Sequence, residues 1–346
     1  MATFDPNAAA THDSGIFGLP TTPAEAKLVL VPVPFEATTS YGGGTSQGPE
    51  AILAASRQVD LFDRDTGRPY EAGIAMLPPE PKFREWSEAG KRNADASRTE
   101  EAIRDRITHA DLLRAVNDFC DRVNRALVTI VREQIERGKI VGTVGGDHGC
   151  VFGAIAAHAE HYPGLGILHI DAHADLRPAY EGFTWSHASI MHNVATRLLN
   201  VGRIVQVGIR DFSEEEAAFS EASQGRIRTY YDADLAYARF SGVTWKDQVE
   251  KILQYLPQHV YVSFDIDGLD PALCPNTGTP VAGGLSFHEA SYLIGALARS
   301  GRSIVGFDLV EVAPGKDGSE WDANVGARML YKLIGHTLVS RGALRR

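Results

Sequence analysis

A doubly wound α/β sheet is the architecture this sequence predicts, and two observations carry that expectation. From Lys27 onward, short apolar runs alternate with longer amphipathic stretches, the pattern of strand–helix repetition. The runs are apolar almost throughout rather than at every second residue, as strands covered on both faces of a parallel sheet are.

The elements follow in order. KLVLVPVPF (27–35) reads as the first strand. In SYGGGTSQGPEAIL, Gly42, Gly43 and Gly44 give a flexible turn, and Pro49 falls in the first turn of a helix, where its missing N–H costs nothing. No GxxxxGK[ST] follows the glycines, so a substrate-facing or subunit-contact loop is a better reading than a phosphate cradle. The stretch from Pro78 to about Thr108 is strongly polar and interrupts the alternation. It reads as an insertion, part loop and part charged helix, that covers the site or serves an oligomer contact. A helix over 110–137 closes at Gly138 before the strand KIVGTVGG. A helix over 150–161 and the strand LGILHID come next, then a helix exit at Asn200-Val201-Gly202 and the strand RIVQVGI. Helices over 214–222 and 244–256 precede the strand HVYVSFD. A helix over 286–300, left at Ser300-Gly301, the strand SIVGFDLVEV and a helix over 321–341 complete the series. Residues 1–20 are expected to form an irregular arm, and 21–346 a single domain carrying the insertion at about 78–108.

Composition narrows the function. A formal net charge of −10 argues against nucleic acid or an anionic membrane as a standing partner and suits a cationic substrate. Cys120, Cys150 and Cys274 are too widely spaced for a disulfide framework or a thiolate metal site. The opening MATFDPNAAATHDSG lacks the basic and apolar regions of a signal peptide. No run approaches the roughly 18–20 apolar residues that span a bilayer. A cytoplasmic location is the expectation.

Three segments, each ending an apolar run, concentrate the chemistry: Gly145-Gly146-Asp147-His148, Asp171-Ala172-His173-Ala174-Asp175 and Asp265-Ile266-Asp267-Gly268. In open α/β sheets ligands bind beyond the carboxyl ends of the strands, and all three segments fall there. Carboxylates gathered in one crevice repel unless a cation neutralises them, so a pair of divalent ions is the economical explanation. Carboxylate and imidazole ligands suit manganese, nickel or cobalt rather than a thiolate-type zinc site. Alternate residues of an extended strand end share a face. On that geometry Asp171, His173 and Asp175 would point into one crevice, and Asp265 and Asp267 would repeat the arrangement. The plainer reading makes these residues turn formers and helix caps, but their joint occurrence at equivalent positions argues against it.

GGDH, DAHADL and DIDGLDP, in this order, resemble the ureohydrolase superfamily of arginases, agmatinases and related guanidine-cleaving enzymes. The resemblance covers about residues 27–340 and implies a three-layer α/β/α fold with a central, mostly parallel sheet. It also implies that one metal is held by His148, Asp171, Asp175 and Asp265, and the other by His173, Asp171, Asp265 and Asp267. Asp171 and Asp265 would then bridge two Ni2+ or Mn2+ ions. Four aspartates balance two such ions, and two metals lower the pKa of a shared water. Asp175 would pass a proton from that water to the leaving nitrogen. Glu311, after the last apolar strand, matches the family glutamate that pairs with a guanidinium, a fork a carboxylate meets bidentately. His187, in FTWSHASIMHN, occupies the position of a proton-shuttling histidine. Trimers or hexamers, of one chain or two, are what the resemblance implies for assembly.

In the arginases that the chain resembles, the loop after the second metal motif carries small polar residues that hold the substrate's head group; here it reads LRPAYEGFTWSHAS. It offers no polar cluster for an amino-acid head group, so arginine is not expected. TGTPVAGGLS (277–286) resembles the agmatinase branch. Tyr180, Phe183 and Trp185 favour a compact or alkylated cation through cation–π contact. The expectation is therefore guanidine, an alkylated guanidine or a biguanide such as metformin. Agmatine and 4-guanidinobutyrate are the alternatives within the same chemistry. A non-catalytic subunit of a mixed oligomer and a single-zinc amide deacetylase are the alternatives outside it, and the full ligand set with Glu311 argues against both.

Overall fold

In the computed structural model, which describes residues 4–344, the strands are β1 (Leu28–Pro32), β2 (Ile74–Met76), β3 (Ile140–Val144), β4 (Leu165–Ile170), β5 (Val201–Ile209), β6 (Ile227–Tyr231), β7 (His259–Asp265) and β8 (Ser303–Val310). They form one sheet in the order β2-β1-β3-β8-β7-β4-β5-β6, and every pair is parallel. The helices are α1 (Gly48–Ser56), α2 (Pro81–Ser97), α3 (Glu100–Arg104), α4 (Arg106–Glu136), α5 (Phe152–His161), α6 (Ile190–Arg197), α7 (Glu214–Ala222), α8 (Asp232–Phe240), α9 (Trp245–Leu253), α10 (Phe287–Arg299) and α11 (Trp321–Ser340).

The unbroken apolarity of the strands has the predicted cause. Along β1, Leu28 and Leu30 belong to the core on one face, together with Ile52 of α1 and Leu330 of α11. Val29 and Val31 pack with Val116, Val123 and Leu127 of α4 on the other. Every residue of β1 is buried, so this strand leaves no face for water. This is the expected three-layer arrangement.

The sequence reading missed the two edge strands. β2 is apolar but only three residues long, and β6, IRTYY, carries an exposed Arg228 and half-buried tyrosines, so neither stands out as a strand. Nor is Asn200-Val201-Gly202 a helix exit. α6 ends at Arg197, and Val201 already belongs to β5. The guanidinium of Arg226 donates to the Ala195 and Leu198 carbonyls, a job a glycine turn usually does at a helix end. In the polar stretch after Pro78, Phe83, Gly90 and Ala94 put α2 against its surroundings at helical spacing. A methyl at Gly90 would come within 3.0 Å of the Ala37 Cβ and 3.7 Å of Phe119, so the glycine lets α2 lie close to α4 and to the loop after β1.

The sheet order decides where chemistry can sit. β3, β8, β7 and β4 are consecutive neighbours at its centre. The chain passes β3, leaves to build β4, β5 and β6, then returns to fill the gap with β7 and β8. Four strand ends thus open side by side.

Candidate active site

Each central strand delivers its site residue within five positions of its carboxyl end: His148 after β3, Asp171 to Asp175 after β4, Asp265 and Asp267 at the end of β7, and Glu311 immediately after β8. The glycines of GGDH have a steric reason. A Cβ on Gly146 would stand 1.9 Å from the Phe35 carbonyl oxygen, and one on Gly145 would stand 2.8 Å from Val310 Cγ1. Asp147 faces away from the crevice and accepts from the backbone N–H groups of Ala37 and Thr38 at 3.0 and 3.3 Å. It ties the end of β3 to the loop after β1. Burial pushes its carboxyl up to about 6 against those hydrogen bonds.

The predicted residues do converge, but not by extended alternation. β4 stops at Ile170, and residues 171–175 form a loop in which Asp175 takes a left-handed backbone (φ 54°). Asp267 lies in a single 3-10 turn, Ile266–Gly268, in which the Asp267 amide donates to Asp265 Oδ1. The strands end because the crevice needs side chains aimed from several directions, which a pleat with period two does not provide. Glu311 is left-handed as well (φ 62°). Non-glycine residues held there cluster at functional sites.

The distances describe two adjoining pockets for cations. His148 Nδ1 lies 3.0 Å from Asp171 Oδ2 and 3.3 Å from both Asp175 Oδ2 and Asp265 Oδ2. One ring nitrogen cannot donate a single hydrogen to three carboxylates. His173 Nδ1 lies 3.4 Å from Asp171 Oδ1 and 3.2 Å from Asp267 Oδ2. Asp171 serves both groups, one oxygen to each, as a bridging carboxylate would. Burial and the charges of Asp267 and Asp171 push the Asp265 carboxyl well up. Burial opposes a charge on His148, yet its three carboxylate neighbours hold the imidazole well above its ordinary pKa. Divalent ions would take over the compensation that these protons provide, and the donor set of four carboxylates and two imidazoles fits a two-ion centre.

His169 was missed by sequence reading, although its Nε2 lies 2.8 Å from Asp171 Oδ2 and its ring falls in the same side-chain group as His148, Asp171 and Asp175. Its role follows from its other nitrogen. Gln206 Nε2 donates to His169 Nδ1 at 3.1 Å and to the Ala174 carbonyl at 2.6 Å, while Gln206 Oε1 accepts from Thr229. The Nδ1 lone pair is therefore occupied, the hydrogen sits on Nε2, and His169 donates to Asp171 rather than offering a ligand atom. A histidine on a strand reads as a core residue, and only the three-dimensional partner distinguishes it.

Beside the crevice lies a cavity of about 110 Å³. Ser40, His173, Asp175, Tyr180, His187 and Asp211 are among its walls. His187 is thus brought to the site. Burial, then the charges of His173 and His148, push its pKa down to about 3, which leaves a neutral imidazole. Of the three aromatic residues expected to recognise substrate, only Tyr180 lines the cavity. Phe183 is fully buried in the core under the loop. Trp185 packs edge-on against Phe152, with the Arg197 guanidinium 4.4 Å from its ring centroid. Both point into the fold because the loop carrying them needs an apolar anchor. Glu311 stands behind this cavity rather than on its wall. Its Oε1 accepts from the His148 N–H at 2.8 Å, and its buried Oε2 has no partner. A free carboxylate oxygen of this kind is suited to a cationic N–H donor.

Comparison with known proteins agrees with this geometry. The model of the family described as Arginase matches residues 26–335. An N(1)-aminopropylagmatine ureohydrolase of Thermus thermophilus is 33% identical over 334 residues, covering 96% of this chain and 97% of that protein. The agmatinase of Bacillus subtilis is 29% identical, with 90% and 91% covered. The crystal structure of the agmatine ureohydrolase of Thermoplasma volcanium superposes with a TM-score of 0.71 at 24% identity, over 95% of this chain and 96% of that one.

Proposed function

This chain belongs to the arginase family, hydrolases that cleave a guanidino C–N bond at a two-metal site, and on that premise we propose that its substrate is agmatine or an N-substituted agmatine. The observation that carries this reading is Asp211. It is 68% exposed in its side chain at the cavity mouth, with His173 Nε2 4.0 Å away, so its carboxylate is available to a distal ammonium group. Arg177, on the same wall, has its charge met locally by Glu216 at 3.4 Å and by the face of Tyr180. The proteins named above that are similar in sequence carry agmatine-type substrates in their names. With Phe183 in the core and the half-buried Trp185 packed on Phe152, little remains of the aromatic case for an alkylated guanidine or metformin. The modest cavity beside the crevice is the observation that favours free guanidine as a second reading.

The roles follow from position. His148, His173, Asp171, Asp175, Asp265 and Asp267 would hold two divalent ions, Mn2+ or Ni2+, which supply Lewis acidity and an ionised water near neutral pH. Glu311, through its unpartnered Oε2, would fix the guanidinium by a charge-assisted hydrogen bond. Asp175 would accept the proton of the attacking water and deliver it to the departing nitrogen. Neutral His187 would carry a proton between the cavity and solvent. The guanidinium carbon gains an oxygen from water and loses the substituted nitrogen, so that urea and a protonated amine leave.

Steady-state kinetics of Asp211→Asn on agmatine and on free guanidine test the substrate reading. The expected result is a KM for agmatine raised about fivefold, from loss of an exposed pairing of ~1 kcal/mol, with guanidine turnover unaffected. Equal effects on both, or guanidine turned over better than agmatine by wild-type enzyme, would overturn it.

A further inference from the structure

The polar segment after Pro78 contributes a residue that the reaction scheme above does not use. Arg98 follows the last turn of α2 and joins two loops that meet over the cavity. Its guanidinium donates to the Thr39 carbonyl at 3.1 Å and to the Thr38 carbonyl at 3.4 Å. On its other side Nε donates to Glu181 Oε2 at 2.8 Å, with Nη2 2.7 Å from the same oxygen, and its carbon lies 5.6 Å from the Phe183 ring centroid. One planar fork therefore holds the loop after β1 and the loop after β4 together. Arginine suits such a task because its donors are fixed in one plane and it stacks on rings.

Between these loops sits Thr38, fully buried. Its hydroxyl accepts from the His187 backbone N–H at 3.1 Å, and the same oxygen lies 3.3 Å from His187 Nδ1. Ser186 Oγ is also 3.3 Å from that nitrogen. The Thr38 hydroxyl hydrogen itself has a buried carboxylate at 3.4 Å, Asp147 Oδ2, so Thr38 Oγ meets the imidazole as an acceptor and holds the ring in place. Lys91, about two turns earlier on α2, pairs with buried Glu36, which also accepts from the N–H groups of Gly44 and Ser46 at 2.8 and 3.2 Å. The helix thus grips the loop after β1 at two points, on either side of Thr38.

We propose that Arg98 is a positioning residue for hydrolysis: from outside the metal crevice it fixes Thr38, and through the Thr38 hydroxyl the place of His187. This rests on His187 serving turnover, as read above. Arg98 touches no reacting atom. It gives the polar insertion a part in catalysis, by holding closed the two loops that frame the cavity.

The test compares Arg98→Ala, Arg98→Lys, Thr38→Val and the double variant R98A/T38V with wild-type enzyme, each loaded with Mn2+. Three quantities are read: metal per chain, kcat and KM on agmatine, and the rate at which diethyl pyrocarbonate modifies His187, followed by peptide mass spectrometry. The expected result is an unchanged metal content, a kcat lowered about tenfold or more in R98A, and a KM within about threefold of wild type. His187 is modified several-fold faster, and R98K recovers part of the loss. The double variant is no worse than the worse single one, because both act through one contact. Wild-type kcat and a wild-type modification rate in R98A would overturn the proposal, as would losses that add. If R98A loses metal, R98K decides, with the same changes expected at smaller size. Were wild-type enzyme silent on every guanidino compound, the functional reading would fail, while the modification rate of His187 would still decide the positioning.

Discussion

His148 Nε2 lies 2.9 Å from Ser263 Oγ, and Ser263 passes its own hydrogen to Asp308 Oδ1 at 3.0 Å. Because the serine hydrogen is committed to a buried carboxylate, its oxygen accepts, and the imidazole hydrogen must sit on Nε2. That leaves Nδ1, the nitrogen facing Asp171, Asp175 and Asp265, with its lone pair toward the crevice. Partners behind a ligand set its tautomer and basicity, and their loss costs about 10–100-fold in metal affinity. Ser263→Ala is expected to weaken one of two metal-binding steps by that factor in calorimetric titration. Two unchanged steps would show that Ser263 only fills space.

Asp171 gives one oxygen to each histidine group, and Asp265 reaches His148 while holding the Asp267 turn. Asp171→Ala and Asp265→Ala are therefore each expected to lower metal content from two ions per chain to less than one, read by elemental analysis after dialysis. Retention of two ions by either variant would remove that residue as a bridge.

Glu311→Gln separates charge from shape. The glutamine oxygen still accepts from the His148 N–H, so the crevice and its metal content should be kept. The charge that meets the guanidinium is lost, and kcat/KM should fall about 10²–10³-fold. Near-normal turnover at full metal content would take Glu311 out of substrate binding.

Acid sensitivity has a component outside the crevice. His158 is buried, donates through Nδ1 to the Ala154 carbonyl at 2.8 Å, and leaves Nε2 without a partner. Burial pushes its pKa down to about 4 from 6.5. The unfolded chain therefore binds this proton more readily than the folded one between those values. The stability due to neutral His158 is fully present above pH 6.5 and is lost as pH falls through 4, by on the order of a few kcal/mol. His158→Gln, compared as metal-free protein by thermal unfolding, should lose less stability than wild type between pH 6.5 and 4. Parallel curves would mean that His158 is not the group that titrates.

The central strands and the carboxylates and imidazoles gathered in the crevice could be read in the sequence because both carry local signals. An unbroken apolar run marks a strand covered on both faces, and carboxylates crowded at its end are costly without a cation. The edge strand β2 is too short to stand out, and β6 is broken by Arg228 and Thr229. His169, Ser263 and Asp308 escape notice because each looks like an ordinary core residue until its partner across the sheet is known. Phe183 and Trp185 were misplaced for the converse reason: a loop beside a site also needs anchors, and sequence alone does not say toward which side a ring turns. The left-handed backbone at Asp175 and Glu311, residues that disfavour it, likewise has no signature in a single sequence.

The most direct measurement is the product balance of metal-stripped enzyme reloaded with two equivalents of Mn2+ or Ni2+ and given agmatine. The expected result is no turnover without metal, then urea and putrescine in equal amounts with one of the two ions. Absence of urea from agmatine and from free guanidine, at two bound ions per chain, would contradict guanidino C–N hydrolysis at this crevice.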